Sequence, residues 1–401
     1  MSDVAPRILQ VDADAFYAQV ARLLDPEGAG RAELLLVGGS PQGRGVVTSA
    51  SYAARKYGAR SGMPMATALR LCPGATVVGV PRRACSEKSR AIVSVLERFT
   101  PVVEPASIDE MYLDLTGTEE LYRNESLEAT ARRIRQAVLD ETEIAVSIGG
   151  GTTRLVAKLA AKRAKPHRSP AAEGVVVVPP GKEAEFLATF DLADIPGVGP
   201  RFQDRLRVYG LVTVRDALGH DEAALKNWLG ERAAVWLYRR IRGIDPTPVE
   251  ARERAKSISR DETFAKDLDD DRDLTRELLR LADRAASDLR KHGWAARTIT
   301  VRIRDRDFRN RSKSLTLDDP VVADRVIAQV ARALFAQLRE RRRVPARLLG
   351  VALSNLKPAD DVDQLSLFDE GGEETNRDRA LSRAIDQVRE RFGYGAVGRG
   401  A

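Results

Sequence analysis

The stretch Ile8-Leu9-Gln10-Val11-Asp12-Ala13-Asp14-Ala15-Phe16-Tyr17 decides how the rest of the chain is read. Residues 8–11 are a short run of strand-forming character that delivers Asp12 to its end, and small, helix-compatible residues follow at once. The companion stretch is Ser107-Ile108-Asp109-Glu110-Met111-Tyr112-Leu113-Asp114, in which strand-like residues at 102–108 and 111–115 meet around an Asp-Glu pair. If these strands pair beside the first, Asp12, Asp109 and Glu110 converge at strand ends. Three such carboxylates repel one another unless divalent cations neutralise them. An open, all-oxygen set suits Mg²⁺, which keeps water and phosphate oxygens among its ligands. On its own, however, an Asp-Glu pair reads far more readily as a polar hairpin turn, with Asp12 an unrelated loop acid.

Working outward, a Gly/Pro-punctuated stretch lies at 58–64. A helix is expected over 127–139, with Leu127, Ile134, Val138 and Leu139 on one side. A strand over 143–148, a basic helix over 154–165 and a buried strand over 175–178 complete an α+β region. From about 191 to 244 strand signals vanish, and short helices are expected around the punctuator Ile195-Pro196-Gly197-Val198-Gly199-Pro200. A linker over 245–254 carries Pro246 and Pro248.

The region 256–353 reads strand, helix, two strands, helix, strand, which is the order of a split βαβ sandwich. Its second strand alternates Ile299, Val301 and Ile303 against Thr300, Arg302 and Arg304. Helices cover one face of such a sheet, so the open face is expected to gather Arg302, Arg304 and Arg306, with Arg297, Arg309, Arg311 and Lys313 nearby. Between Asp360 and Glu374 there are seven acids and no base, which points to a solvated linker. One apolar island, Gln364-Leu365-Ser366-Leu367-Phe368, interrupts it. The amphipathic stretch 381–392 receives no role.

Composition limits the function classes. In 401 residues, 43% are hydrophobic and 31% charged, enough for real cores and too apolar for general disorder. No apolar run approaches the roughly 20 residues that span a bilayer, and residues 1–7 lack the pattern of a secretory leader, so a soluble, cytoplasmic protein is expected. Two cysteines and three scattered histidines make neither a disulfide framework nor a zinc site of usual spacing. A net charge of +7 is compatible with a polyanionic partner or with an ordinary solvated surface.

Taken together, residues 11–17, the block Ser51-Tyr52-Ala53-Ala54-Arg55-Lys56-Tyr57-Gly58 and residues 107–114 resemble the three active-site blocks of Y-family DNA polymerases, most nearly those of the bacterial DNA polymerase IV (DinB) branch. The blocks keep the family's order and separations. The likeness continues through Lys158, Lys165-Pro166 and residues 195–199, spanning about 7–357. One departure stands out: His167-Arg168 follows Lys165-Pro166 where the family has Asn-Gly.

The resemblance implies an α+β, multidomain, right-hand-like polymerase. Its parts would be a ferredoxin-like palm (1–18 and 78–178), fingers (19–77), a helical thumb with a helix-hairpin-helix element (179–245), a linker (246–255), a little finger (256–357) and a tail (358–401). Asp12, Asp109 and Glu110, with the backbone carbonyl of Ala13, would bind two Mg²⁺ ions. Tyr17 would be the steric gate against ribose, and Phe16, Tyr17, Tyr52, Arg55 and Lys165 would contact the dNTP, with Lys158 facing the same site. Gly197, Gly199, Arg302, Arg304 and Arg306 would hold primer-template DNA through its backbone. Gln364, Leu365, Leu367 and Phe368 resemble the bacterial sliding-clamp binding peptide, and two leucines with a Phe on a solvated stretch call for a cover. The implied activity is error-prone translesion synthesis without a proofreading exonuclease, by a monomer. Singly, each residue reads as blandly as a half-buried aromatic or a surface cation. A non-catalytic scaffold of the same fold is the alternative; it would be expected to lose the three carboxylates that this chain keeps. A generic helix-hairpin-helix DNA-binding protein or nuclease would leave the Tyr17 and Tyr52/Arg55 blocks unexplained.

Overall fold

The computed structural model describes residues 5–167, 173–251, 255–359, 374–393 and 396–397. It divides into two compact units, 1–253 and 254–401.

The first unit is built on the two strands the sequence singles out. Strand β1 (Ile8–Ala13) leads through a bend into α1 (Phe16–Leu24). A small three-stranded sheet follows, formed by β2 (Leu35–Gly38), β3 (Val47–Ala50) and, after α2 (Tyr52–Lys56) and α3 (Met65–Leu71), β4 (Thr76–Val78), in the order β3-β2-β4. The chain then forms α4 (Arg82–Leu96), β5 (Val103–Pro105), β6 (Glu110–Asp114), α5 (Leu127–Thr142), β7 (Val146–Gly151), α6 (Arg154–Ala164) and β8 (Val175–Val177). These strands join β1 in a five-stranded sheet ordered β5-β6-β1-β7-β8. Central β1 runs antiparallel to both neighbours, with Asp12 opposite Glu110 on one side and Ser147 on the other.

Period-two alternation sorts the sheet's faces. Leu9, Val11 and Ala13 go into the core with residues of α4 and α5. Gln10 and Asp12 alternate to the opposite side, where Ile8 and Tyr112 pack with Ala157 of α6. The charged end of β1 therefore sits beside α6, the helix that carries the lysines.

The strand expected over 143–148 begins later and runs on through Gly149-Gly150-Gly151. Glu143 instead takes a left-handed conformation (φ 59°) and caps α5. The glycines are strand residues because of packing. A Cβ at Gly149 would lie 2.0 Å from Ala161 N and 2.1 Å from Ala157 O, so only glycine lets the backbone of α6 touch the sheet.

Beyond β8 the unit is helical, as the loss of strand signals foretells: α7 (Glu183–Leu187), α8 (Pro200–Arg207), α9 (Val214–Leu218), α10 (Glu222–Leu229) and α11 (Glu231–Arg240). Their core of Leu206, Leu225, Leu229, Leu237 and Ile241 extends to Leu155 and Leu159 of α6.

The second unit has the order β9 (Ser257–Leu268), α12 (Asp271–Lys291), β10 (Trp294–Asp305), β11 (Asn310–Val321), α13 (Asp324–Arg341) and β12 (Ala346–Pro358), with the sheet ordered β11-β10-β12-β9. Leu274, Leu278, Leu281, Ala285 and Leu289 of α12 pack with Ile299, Val301 and Ile303 of β10. The unit does not end there. A helix, α14 (Asn376–Phe392), occupies much of what reads as tail, and it docks through polar groups rather than apolar ones. Glu374 accepts from the amides of Val322 (2.8 Å) and Ala323, covering donors left open at the start of α13. Arg290 donates to Asp386 at 2.7 and 2.9 Å, and Arg325 to Asp378 at 2.8 and 2.9 Å. Leu381 and Phe392 stay exposed, so the amphipathic pattern of 381–392 marks a helix whose buried side is the charged one.

Candidate active site

The acidic centre is assembled by strand pairing. Asp12 faces Glu110 across the β1–β6 register, and the carbonyl of Asp109 accepts the amide of Ala13 at 2.9 Å. Ser107 shapes the turn before β6: its hydroxyl donates to Asp109 Oδ1 (2.6 Å) and accepts the amides of Asp109 (3.2 Å) and Glu110 (3.0 Å). Two lysines from α6 and its end answer these charges. Lys158 Nζ lies 2.5 Å from Glu110, and Lys165 Nζ 2.7 Å from Asp12. Burial pushes the Asp12 carboxyl up to about 6; Lys165 opposes that shift, while Glu110 and Asp109 add to it. Among the described residues, no three Asp, Glu, His or Cys side chains are gathered closely enough to hold a metal ion as they stand. In their place Asp12 and Glu110 each carry an ammonium.

Asp14, to which sequence reasoning gives no role, forms a second node. Its carboxylate is buried and accepts from Tyr52 Oη (2.9 Å), from Ser147 Oγ (3.0 and 2.9 Å) and from Lys165 Nζ (3.4 Å). The available signal was spacing, since Asp12 and Asp14 are two residues apart at a strand end. Tyr52 begins α2, where Ser51 caps the helix by accepting the amide of Ala54. The Arg55 guanidinium lies 5.0 Å from the centre of the Tyr52 ring, and the His167 ring lies 4.6 Å from it on the other hand. Burial and the Asp14 charge raise the Tyr52 phenol well above its ordinary value, so it remains a donor.

Tyr17 is part-exposed, its phenol raised by burial and by Asp109. Phe16 is 1% exposed, in the core, edge-on to Tyr17 at 5.6 Å, so its ring supports Tyr17 and any contact with a nucleotide would fall to its backbone.

Residues 195–199 face the acidic centre. Asp12, Glu110, Lys158, Lys162 and Lys165 share the lining of a cavity of about 550 Å³ with Pro196, Gly197, Val198 and Gly199. Gly197 has φ 100°, and a Cβ there would come within 2.7 Å of the Trp236 ring. Gly199 precedes α8, with Pro200 in the helix's first turn.

In the second unit, Arg302 and Arg304 lie on the side of β10 opposite the buried Ile299, Val301 and Ile303. Neither is a bare cation. Arg302 forms a two-pronged pair with Asp261 (2.6 Å twice), and Arg304 donates to Asn310 (2.7 Å). Arg306 is not on the sheet: it lies in the turn between β10 and β11, because β10 ends at Asp305. Arg311 is also drawn away, pairing with buried Asp305 at 2.9 Å. Gln364, Leu365, Leu367 and Phe368, like Arg168, lie outside the described residues.

The chain matches the model of the impB/mucB/samB family over residues 11–162, that of the family's C-terminal domain over 255–367 and that of its HHH motif over 180–211. It is 36% identical to a DNA polymerase IV from Dehalococcoides mccartyi, over 98% of this chain and 96% of that one. It is 35% identical to one from Staphylococcus aureus strain JH9, over 90% of this chain and 98% of the other. Among solved structures it resembles a chimera of Dbh and Dpo4, a Y-family DNA polymerase, with TM-score 0.76 and 29% identity over 87% of this chain and 99% of that chain. It also resembles a ternary insertion complex of the DNA polymerase Dbh, with TM-score 0.61 and 27% identity over 87% of this chain and 99% of that one.

Proposed function

The chain belongs to the Y-family of DNA polymerases, in the DNA polymerase IV branch, and from that premise we propose which of its groups carry the reaction. It is a DNA-directed DNA polymerase of the translesion type, acting on primer-template DNA and dNTP. The observation that carries the assignment is the register of Asp12 with Glu110, with Asp109 beside them and a lysine on each of the paired acids.

Y-family polymerases use divalent metal ions. The donor set fits them: Asp12, Asp109, Glu110 and the Ala13 carbonyl are all oxygen, and the two ammonium groups stand where neutralising cations are needed. We assign these four residues to two Mg²⁺ ions. Ions held there supply the Lewis acidity that lowers the pKa of the primer 3′-hydroxyl and offset charge on the departing pyrophosphate. The remaining work falls to the chain. Tyr52, Arg55 and Lys165 bind the triphosphate, with the Arg55 fork suited to phosphate oxygens. Tyr17, braced by Phe16, excludes the ribose 2′-hydroxyl. Gly197 and Gly199 let the thumb backbone approach a DNA phosphate, and Arg302, Arg304 and Arg306 add sequence-independent contacts. The palm, fingers, thumb and little finger take the boundaries expected above, except that the little-finger unit also includes α14.

The reading extends to a bacterial sliding clamp as partner through Gln364, Leu365, Leu367 and Phe368, and to a cytoplasmic monomer. No helix among the described residues is long and apolar enough to cross a membrane. A scaffold without chemistry is not favoured, because all three carboxylates are present.

Primer extension with each dNTP, with metal and with chelator, tests the assignment. Asp109→Ala and Glu110→Ala are expected to abolish extension while DNA affinity stays within about threefold, since catalysis here rests on charge placement. Substantial synthesis by either variant refutes the carboxylate roles.

A further inference from the structure

We propose that Asp14 is a positioning residue of the nucleotide site, its buried carboxylate fixing Tyr52 and Lys165 together in the arrangement that receives a triphosphate. The inference rests on the assignment of those two side chains to the triphosphate and goes beyond it. Asp14 is 5% exposed, yet it is an acid held among polar donors from three different elements. Tyr52 comes from α2, Ser147 from β7 and Lys165 from the end of α6, at 2.9, 2.9–3.0 and 3.4 Å respectively.

The local backbone gives the carboxylate its place. The residue after it, Ala15, has φ 46° and ψ 44°, a left-handed conformation that costs a non-glycine residue free energy. That conformation turns the chain from β1 directly into α1 and leaves Asp14 in the bend, its own amide bound to Ala145 O at 3.0 Å.

Lys165 has two anionic anchors, Asp12 at 2.7 Å and Asp14 at 3.4 Å. The first is an acid assigned to metal and must be given up when substrate binds. Asp14 is the second and is retained. An ammonium with only the Asp12 anchor would swing free at that moment and lose rotamer entropy again on meeting the phosphates. Tyr52 is held in the same way: its hydroxyl is committed to Asp14, and its ring is in contact with Arg55 and His167. Asp14 thus touches no phosphate itself and acts through its neighbours.

The test is the equilibrium affinity of the full-length enzyme on primer-template DNA for the next correct dNTP. A dideoxy-terminated primer prevents chemistry, and single-turnover rates on a normal primer are measured alongside. Asp14→Asn keeps the shape and an acceptor for Tyr52 but removes the charge that holds Lys165. It is expected to weaken dNTP binding about tenfold, the scale of a charge-assisted hydrogen bond, with the rate at saturating dNTP within about threefold. Asp14→Glu, which restores the charge, should recover part of the affinity. In a Tyr52→Phe/Lys165→Met background, Asp14→Asn should add nothing. An equal loss in both backgrounds, or no loss in the wild-type background, overturns the proposal while leaving the triphosphate assignment intact. If Tyr52→Phe and Lys165→Met each bind dNTP like wild type, the triphosphate assignment itself falls, and the role of Asp14 with it.

Discussion

Gly149→Ala is the smallest change expected to disable the site without touching a charged residue. The added methyl would sit 2.0 Å from Ala161 N and 2.1 Å from Ala157 O, both backbone atoms of α6 that cannot rotate away. To reach even the 3.0 Å limit of real Cβ contacts, α6 must retreat from the sheet by about 1 Å. Overpacking of this kind costs roughly 1–3 kcal/mol of stability. Its effect on function is larger, because α6 carries Lys158 and ends at Lys165, which sit 2.5 and 2.7 Å from Glu110 and Asp12. Misplacing catalytic groups by about 1 Å can cost on the order of 100-fold in rate. Single-turnover primer extension at saturating dNTP measures that loss, and thermal unfolding by circular dichroism confirms that the variant is folded. Gly43→Ala, where a Cβ meets nothing within 4 Å, is the control and should behave as wild type. A folded Gly149→Ala variant extending primers within threefold of wild type would refute the claim that backbone contact between α6 and β7 sets the lysines.

Tyr17→Ala should raise ribonucleotide incorporation about tenfold or more relative to dNTP, since bulk alone excludes the extra hydroxyl; unchanged sugar selectivity in a competition assay would count against the gate. Asp261→Asn releases Arg302 from its two-pronged pair, so DNA binding should tighten a few-fold at low salt and the salt slope should steepen by about one. Titrations at several salt concentrations check both. The Arg325 fork, aided by Thr375, holds the Asp378 carboxyl well below the usual carboxylate range. An acid depressed in the folded state stabilises it above about pH 4, and that contribution is lost as pH falls toward the folded value. Docking of α14 should therefore loosen in acid, and Arg325→Ala should reduce that acid sensitivity, as read from hydrogen exchange over residues 376–392.

The elements that sequence patterns reveal best here are those with a strict period. The alternation of Ile299, Val301 and Ile303 matches the buried face of β10, and the leucines of α12 cover it. Of the three blocks, the two acidic ones can be placed from pattern, because short apolar runs deliver Asp12 and the Asp109-Glu110 pair to strand ends, whereas residues 51–58 carry no carboxylate and are legible only through the family resemblance. Glycines mislead where packing rather than turning demands them: Gly149–Gly151 read as a strand's end and are its continuation, for a reason that exists only once α6 lies against them. The polar docking of α14 is hidden for a related reason. The partners of this segment, Arg290, Arg325 and the amides at 322–324, lie 50 or more residues away, and a charged face looks solvated until its counter-charges are known.

The lysines of the site show why a composition of acids is not yet a metal centre. Asp12 and Glu110 stand opposite each other on neighbouring strands, and without cations their repulsion would add to the burial cost that already raises Asp12. Lys158 and Lys165 offset part of that cost, each by a single ammonium on a flexible stem. A flexible point charge is suited to this task because it can leave: it offsets the carboxylates without the rigid fork that an arginine would impose. A divalent ion held by Asp12 and Glu110 would supply that neutralisation in its place. For Lys165 the released charge has a destination, since it is also assigned to the triphosphate. On that assignment the same residue would serve both the resting site and the substrate, and its shared position between Asp12 and Asp14 is the geometry that would reconcile the two duties.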